Sequence, residues 1–208
     1  MNVRMSGPTL AFVAVAMSLL LTGCDGSVEL EPTPSFGSSS NEESPIVVPS
    51  EPPYETDLNL TGAETDAAEA AYDVLVSFIT ANNQVMADSG NNPDRALVFL
   101  DGSPREAHVK DYESMRAEQE VGVGGITHSY HRIDEVLVHE EGEITVAFSS
   151  CVDYRYFDIV DRDGESLAGE DTSPVIVVHQ LEGKAGDWVI NKIDYTGNEC
   201  EGLDERLD

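Results

Sequence analysis

The sequence has little positive charge. Its 208 residues include 11 lysines and arginines against 40 aspartates and glutamates, so the formal net charge is −29. Nucleic-acid binding needs a basic surface, and flat binding to anionic lipid needs clustered basic residues. The composition argues against both and predicts a strongly solvated acidic surface. A weak sink for cations or a site for a basic partner is the alternative.

Signatures of catalysis and metal binding are also lacking. His128 and His131 in "HSYH" lie three positions apart. On a regular strand such residues face opposite sides, so we expect that they do not bind one ion. His108, His139 and His179 have no partner in sequence and are expected at the surface or half-buried. The sequence predicts no metal, no cofactor and no enzyme activity.

Long apolar runs are scarce, since the chain has one, from about Leu10 to Leu21. The run follows Arg4 and ends in two small residues, a pattern typical of a secretory signal peptide over residues 1–23. It is short for a membrane span, which needs about 20 apolar residues. The rest of the chain is expected to be soluble on the far side of the membrane.

Cysteine is rare, with three in the chain, and the first of them follows the apolar run. The segment "LTGC", Leu21 to Cys24, resembles the lipobox of bacterial lipoproteins. That resemblance implies a diacylated Cys24 at the mature N-terminus and a lipid-anchored protein on the extracytoplasmic face of the cell membrane. Two acyl chains hold a protein stably at a bilayer. An ordinary signal peptide with a chance cysteine is the alternative.

Residues 24–57 are rich in proline, serine, glycine and glutamate and have no sustained hydrophobic period. Such a segment buries too little apolar surface to offset its ordering entropy. We expect a disordered acidic tether that holds the folded part away from the lipid. A docked strand or a proline-rich ligand within "SPIVVPSEPP" is the alternative.

Residues 58–208 have globular patterning and are long enough for one domain. Thr61 and Glu64 have capping-box spacing ahead of an amphipathic helix that ends before Gly90. "NPDRALVFLDG" predicts a short helix. "SPREAHVKDYESMRAEQ" predicts a third, with Ser103 as its cap and Val109, Tyr112 and Met115 on its inner face.

The remaining sequence predicts four long strands joined by hairpins. They are "ITHSYHRIDEVLVHE", "ITVAFSSCVDYRYFDIV", "SPVIVVHQLEG" and "DWVINKIDY", which are rich in β-branched and aromatic residues and bounded by turn residues. Helices followed by hairpins indicate an α+β fold. The expected architecture is N-terminal helices packed on a curved four-stranded antiparallel sheet.

Three segments carry a further resemblance: "AAEAAYDVLVSFI", "SSCVDYRYFDIVDRDGE" and "GDWVINKIDYTGNEC". Together they resemble the nuclear-transport-factor-2-like cone, and more narrowly the actinobacterial lipoproteins that carry it, over Leu58 to Cys200. The resemblance implies a cone that often encloses a pocket and association of two copies through the sheet. Some relatives are enzymes of the ketosteroid-isomerase type.

With Cys24 lipidated, Cys151 and Cys200 can pair in one way, and export favours the disulfide; two free thiols are the alternative. Asp153 would be the catalytic candidate of an isomerase. Strand alternation puts it on the face of Cys151 and away from Tyr154 and Tyr156, so a hydrogen bond to a nearby loop is the expected role. "DIVDRDGE" is expected to be a hairpin turn rather than a calcium loop.

These observations favour a membrane-anchored extracytoplasmic lipoprotein that acts as a non-catalytic accessory or binding module. Its protein partner or small ligand is not identified by the sequence. A pocket-bearing binder of a small apolar ligand is the second expectation, and an isomerase-type enzyme on the same fold is the third.

Overall fold

The fold combines helices and strands, as the sequence predicts. The computed structural model describes residues 48–140, 142–167, 169, 173–184 and 186–200. In chain order the elements are β1 (Tyr54–Glu55), α1 (Gly62–Ala87), α2 (Asp94–Leu97), α3 (Gly102–Glu118), β2 (Val121–Gly124), β3 (Thr127–Val138), β4 (Glu143–Asp153), β5 (Phe157–Val160), β6 (Val175–Lys184) and β7 (Asp187–Glu199). The α+β prediction is therefore confirmed.

The long helix α1 begins at the capping box that the sequence predicts. The Thr61 N–H donates to Glu64 Oε2 at 2.7 Å, and the Glu64 N–H donates to Thr61 Oγ1 at 3.4 Å. These bonds satisfy backbone donors that a helix start leaves unpaired. One face of α1 is buried against the sheet, through Ala68, Ala71, Leu75, Phe78, Ile79, Val85 and Met86.

The third helix confirms its predicted inner face but not its predicted cap. Tyr112 and Met115 of α3 are buried, and Val109 packs against the core from a partly buried position. The helix starts at Gly102, so Ser103 lies inside it, and the preceding Asp101 makes no capping bond through its side chain. The prediction of Ser103 as the cap was therefore wrong.

The main sheet has five strands in the order β1-β3-β4-β6-β7, not the predicted four. The strands β3, β4, β6 and β7 are antiparallel neighbours, and β1 is added parallel to β3 at the edge. The second predicted strand also divides. Its first part forms β4, whereas β5 leaves the main sheet and pairs with β2 in a separate two-stranded sheet.

The extra strand comes from the segment that the sequence assigns to the tether. We call residues 48–55 the N-terminal strap. Tyr54 pairs with His131 of β3, and its ring lies 5.3 Å from that of Tyr72 on α1. The Tyr72 hydroxyl donates to the carbonyl of Pro52. The predicted boundary at residue 57 was therefore wrong, because residues 51–55 contact the folded domain.

Residues 24–47 of the predicted tether, which include Cys24, and the signal peptide over residues 1–23 lie outside the described residues.

The hydrophobic core lies between the helices and the inner face of the sheet. Phe148 and Val146 of β4, Leu181 of β6 and Ile190 of β7 are fully buried against Leu75 of α1. The same inner face turns polar where β3 begins, at His128 and His131. A polar cluster therefore lies at one margin of an apolar core.

Candidate functional site

A bulge in β3 brings two histidines together. His128 pairs with Val152 of β4, whereas Tyr130 already pairs with Cys151, so Ser129 is an extra residue in the ladder. An extra residue turns the following side chains to the other face. His128 and His131 therefore share the inner side of the sheet, with ring centroids 4.8 Å apart. The expectation that they face opposite sides was wrong.

Glu51 of the strap joins the two histidines. Its Oε2 atom lies 2.9 Å from His128 Nδ1 and 2.9 Å from His131 Nε2. The side chains of His128 and His131 are 3% and 0% exposed, and that of Glu51 is 10% exposed. Three groups that can titrate or bind metal are thus withdrawn from water at one point.

The carboxylate and the rings shift one another's pKa. Burial raises the pKa of Glu51, but the hydrogen bonds from His128 and His131 together outweigh it and hold the pKa below its usual value. Burial lowers the pKa of His131 more than the Glu51 carboxylate raises it. At neutral pH, His131 is therefore neutral and Glu51 carries a negative charge.

A hydroxyl and an aromatic ring hold His131 in place. His131 Nδ1 lies 2.8 Å from Ser150 Oγ on the neighbouring strand β4. The Tyr72 ring contacts the His131 ring edge to face, with centroids 5.5 Å apart. The ring of His131 is thus fixed from α1, β4 and the strap at once.

A small cavity adjoins the histidines on the inner side of the sheet. It has a volume of about 50 Å³, and its walls include Asn82, His108, His128, Tyr154 and His179. A water needs roughly 10–15 Å³ of such volume. The cavity is therefore large enough for a few waters and far smaller than the 300–1,000 Å³ of typical ligand pockets.

His179 of β6 is the most deeply buried polar group beside this cavity. It is 5% exposed, and its Nδ1 atom has no hydrogen-bond partner among the described residues. Burial lowers the pKa of His179 well below its usual value, and the neighbouring histidines lower it further. The ring is neutral, and the expectation that His179 is half-buried or at the surface was wrong.

A second, open depression lies on the other side of Glu51. It has a volume of about 500 Å³ and is lined by the strap, by α1 and by Gly124 and Gly125. Asn83 of α1 holds this wall together, since its side chain bonds the N–H and the carbonyl of Ile126. Glu51 thus borders a groove that is open to solvent.

The other residues that the sequence singles out have structural partners. Asp153 is buried and binds Arg155 in the loop after β4, which agrees with the expected loop contact. Asp161 accepts the N–H groups of Asp163 and Glu165 in a tight turn, as expected for a hairpin. The exposed His139 lies 2.8 Å from Thr145 and outside the cluster.

We expect Asp153→Asn to lower the free energy of unfolding by about 1–2 kcal/mol at neutral pH, because it removes a charged hydrogen bond to a half-exposed arginine. Bonds from Arg155 hold the pKa of Asp153 below its usual value. That stabilisation is present above the pKa of the unfolded chain and is lost as the pH falls through the folded pKa. Urea unfolding of the unmodified chain and of the Asp153→Asn variant at pH 7 and pH 2.5 measures the difference in their free energies of unfolding at each pH. An equal difference at the two pH values would contradict the ion pair.

The structure joins Cys151 of β4 to Cys200 by a disulfide, with the Cα atoms 5.9 Å apart. Cys151 is fully buried. Cys200 directly follows β7, and its N–H donates to the carbonyl of Pro174 just before β6. The pairing is the one that the cysteine count allows.

Comparisons with known proteins add little to this picture. No protein family model matches the chain, and no curated protein matches its sequence. The crystal structure of the intermembrane space region of the chloroplast protein ARC6 is similar to 62% of this chain and 95% of that chain, at 14% sequence identity and a TM-score of 0.36. A likeness this weak carries no argument, so the function is inferred from the residues themselves.

Proposed function

We propose that the protein is a lipoprotein anchored to the extracytoplasmic face of the cell membrane through Cys24, where its α+β domain serves as a non-catalytic accessory or binding module. The observation that carries the proposal is the disulfide between Cys151 and Cys200. Disulfides persist outside the reducing cytosol. Because the bridge uses two of the chain's three cysteines, Cys24 is left for acylation at the end of the apolar run.

The contacts of Asp153 support a non-catalytic role. A general base must be free to take a proton from a substrate. The Asp153 carboxylate is occupied by the Arg155 guanidinium, with Oδ2 2.6 Å from one terminal nitrogen. An isomerase-type activity through Asp153 is therefore the least supported of the three expectations.

Binding of a small apolar ligand is the second candidate, and the groove beside the strap favours it. Its volume of about 500 Å³ falls in the range of small-molecule sites. Val48, Val76 and Ile79 give it an apolar wall, and Gln84 and Asn83 add polar groups. The cavity of about 50 Å³ beside His179 is too small for such a ligand.

We also propose that the domain is a nuclear-transport-factor-2-like cone and that two copies associate through the sheet. None of the helices in the described part of the chain has both the length and the apolar character needed to cross a bilayer.

We expect Cys24→Ala to move the protein from the membrane fraction to the soluble extracytoplasmic fraction, because the change removes the atom that carries the acyl chains. Fractionation of an exporting host, followed by mass measurement of the mature N-terminus, tests this. Cys200→Ala is the matched control, since it removes a cysteine but leaves the anchor in place. Retention of the Cys24→Ala protein in the membrane fraction would refute the anchor.

A further inference from the structure

We propose that Glu51, His128 and His131 form a binding site for a divalent transition-metal ion of the Zn²⁺ class. The proposal concerns the folded domain and does not depend on the lipid anchor. Its ligands would be one carboxylate oxygen from the strap and two imidazole nitrogens from β3.

The distances fit such an ion. The three ligand atoms all lie within 4.8 Å of one another. Zn²⁺ binds imidazole nitrogen and carboxylate oxygen at about 2.0–2.2 Å, so neighbouring ligands of a tetrahedral ion lie about 3.3 Å apart. Glu51 Oε2 is 2.9 Å from each nitrogen and would move outward by a few tenths of an ångström. The two nitrogens lie within 4.8 Å of each other and would approach by up to about 1.5 Å, which a rotation of the His128 ring toward His131 would supply.

The donor set suits this class of metal. Imidazole nitrogen favours zinc, copper, nickel and iron over magnesium and calcium, which prefer oxygen alone. Two imidazoles and one carboxylate supply three ligands and leave a position for water or for another group. A dication would also offset the charge of the Glu51 carboxylate, whose burial is otherwise costly.

The hydrogen bond to Ser150 prepares His131 for coordination. A histidine that binds a metal through Nε2 carries its proton on Nδ1 and donates it to a fixed partner. Ser150 Oγ lies 2.8 Å from His131 Nδ1 and can accept that proton. Without metal, the same hydroxyl can donate to Nδ1 while Nε2–H donates to Glu51. The hydrogen bond between His131 and Ser150 is therefore compatible with both the metal-free and the metal-bound state.

The surroundings provide a route and space for a further ligand. Glu51 borders the solvent-open groove, through which an ion can reach the carboxylate. His128 borders the cavity of about 50 Å³, which has room for a metal-bound water. The Nδ1 atom of His179, which has no hydrogen-bond partner in the described part of the chain, lies beside the same cavity and could accept a hydrogen bond from such a water.

Metal binding at this site would fasten the strap to the sheet. The carboxylate precedes β1 by three residues, and the histidines belong to the strand that β1 pairs with. The ion would thus link positions about 80 residues apart in sequence, as the hydrogen bonds of Glu51 already do.

The test is Zn²⁺ binding by the full chain, purified in detergent from an exporting host, stripped with chelator and dialysed against Zn²⁺ at high ionic strength. High salt screens the many exposed carboxylates. We expect one tightly bound equivalent and a melting temperature that rises with the Zn²⁺ concentration. Glu51→Gln and His131→Gln should each weaken binding by at least about 100-fold, since losing a ligand should cost no less than losing a group that orients one.

The matched control is the double variant His139→Gln, Glu140→Gln, which removes an exposed histidine and an exposed carboxylate from the far end of the same strand region. It should bind Zn²⁺ like the unmodified chain. If His131→Gln fails to fold, Glu51→Gln decides alone, because Glu51 lies in the strap outside the core. No tight equivalent in the unmodified chain, or undiminished binding by Glu51→Gln, would overturn the proposal.

Discussion

Replacing Cys151 or Cys200 by alanine should lower the free energy of unfolding by about 4 kcal/mol, and the double replacement should add little to either. The bridge closes a loop with a sequence separation of 49 residues, and the chain-entropy relation gives about 4 kcal/mol for such a loop. Both single variants lose the same cross-link, so their effects should not add. Urea unfolding of the unmodified chain, the two single variants and the double variant measures this double-mutant cycle.

Reduction is the control for this cycle. A reductant should bring the unmodified chain to the stability of the single variants and should leave the variants unchanged. Losses that add in the double variant would mean that the two cysteines stabilise the fold separately, and would remove the observation on which the proposed export rests.

Gly90→Ala should lower the free energy of unfolding by about 3 kcal/mol or more. Gly90 follows the end of α1 with φ of +70°, and a Cβ at this position would lie 2.2 Å from the carbonyl oxygen of Tyr112. Relief would require α1 and α3 to separate. That movement would disturb the buried Tyr112, whose hydroxyl donates to Asn82 at 2.6 Å. Thermal and urea unfolding measure the loss.

Gly164→Ala is the matched control for Gly90→Ala. Gly164 has φ of +82° in the turn after β5, but nothing lies within 4 Å of the position of its Cβ. Its replacement should cost about 1 kcal/mol through backbone strain alone. Equal losses at the two glycines would show that α1 and α3 can move apart without cost.

The parts of the fold that depend on neighbouring residues could be predicted from the sequence. The Thr61–Glu64 capping box acts over three residues, and the buried stripe of α1 repeats at helical spacing. The long antiparallel strands follow from their β-branched residues and the turns between them. Even here, the cap of α3 was misassigned, because Ser103 follows a glycine that already belongs to the helix.

The candidate site could not be predicted, because distant contacts create it. Glu51 lies in a proline-rich segment without hydrophobic period, 77 and 80 residues from its histidine partners. On a regular strand, His128 and His131 would point to opposite faces of the sheet. The extra residue Ser129 changes this and puts both side chains on the same face. The "HSYH" segment was the one local sign of the site. Its two histidines share a face only because of the bulge, and the bulge depends on the pairing of β3 with β4.

The strap has a consequence for the exposed edge of the sheet. Without β1, the outer side of β3 would present a row of unpaired backbone groups to other chains, and such edges invite strand-to-strand aggregation. Within the described ranges, the strap covers this edge at His131 and Arg132 alone, near its middle. A foreign strand can then align with only part of β3 at a time. The strap that carries Glu51 to the histidines thus also helps to protect the edge of β3 from strand-to-strand association.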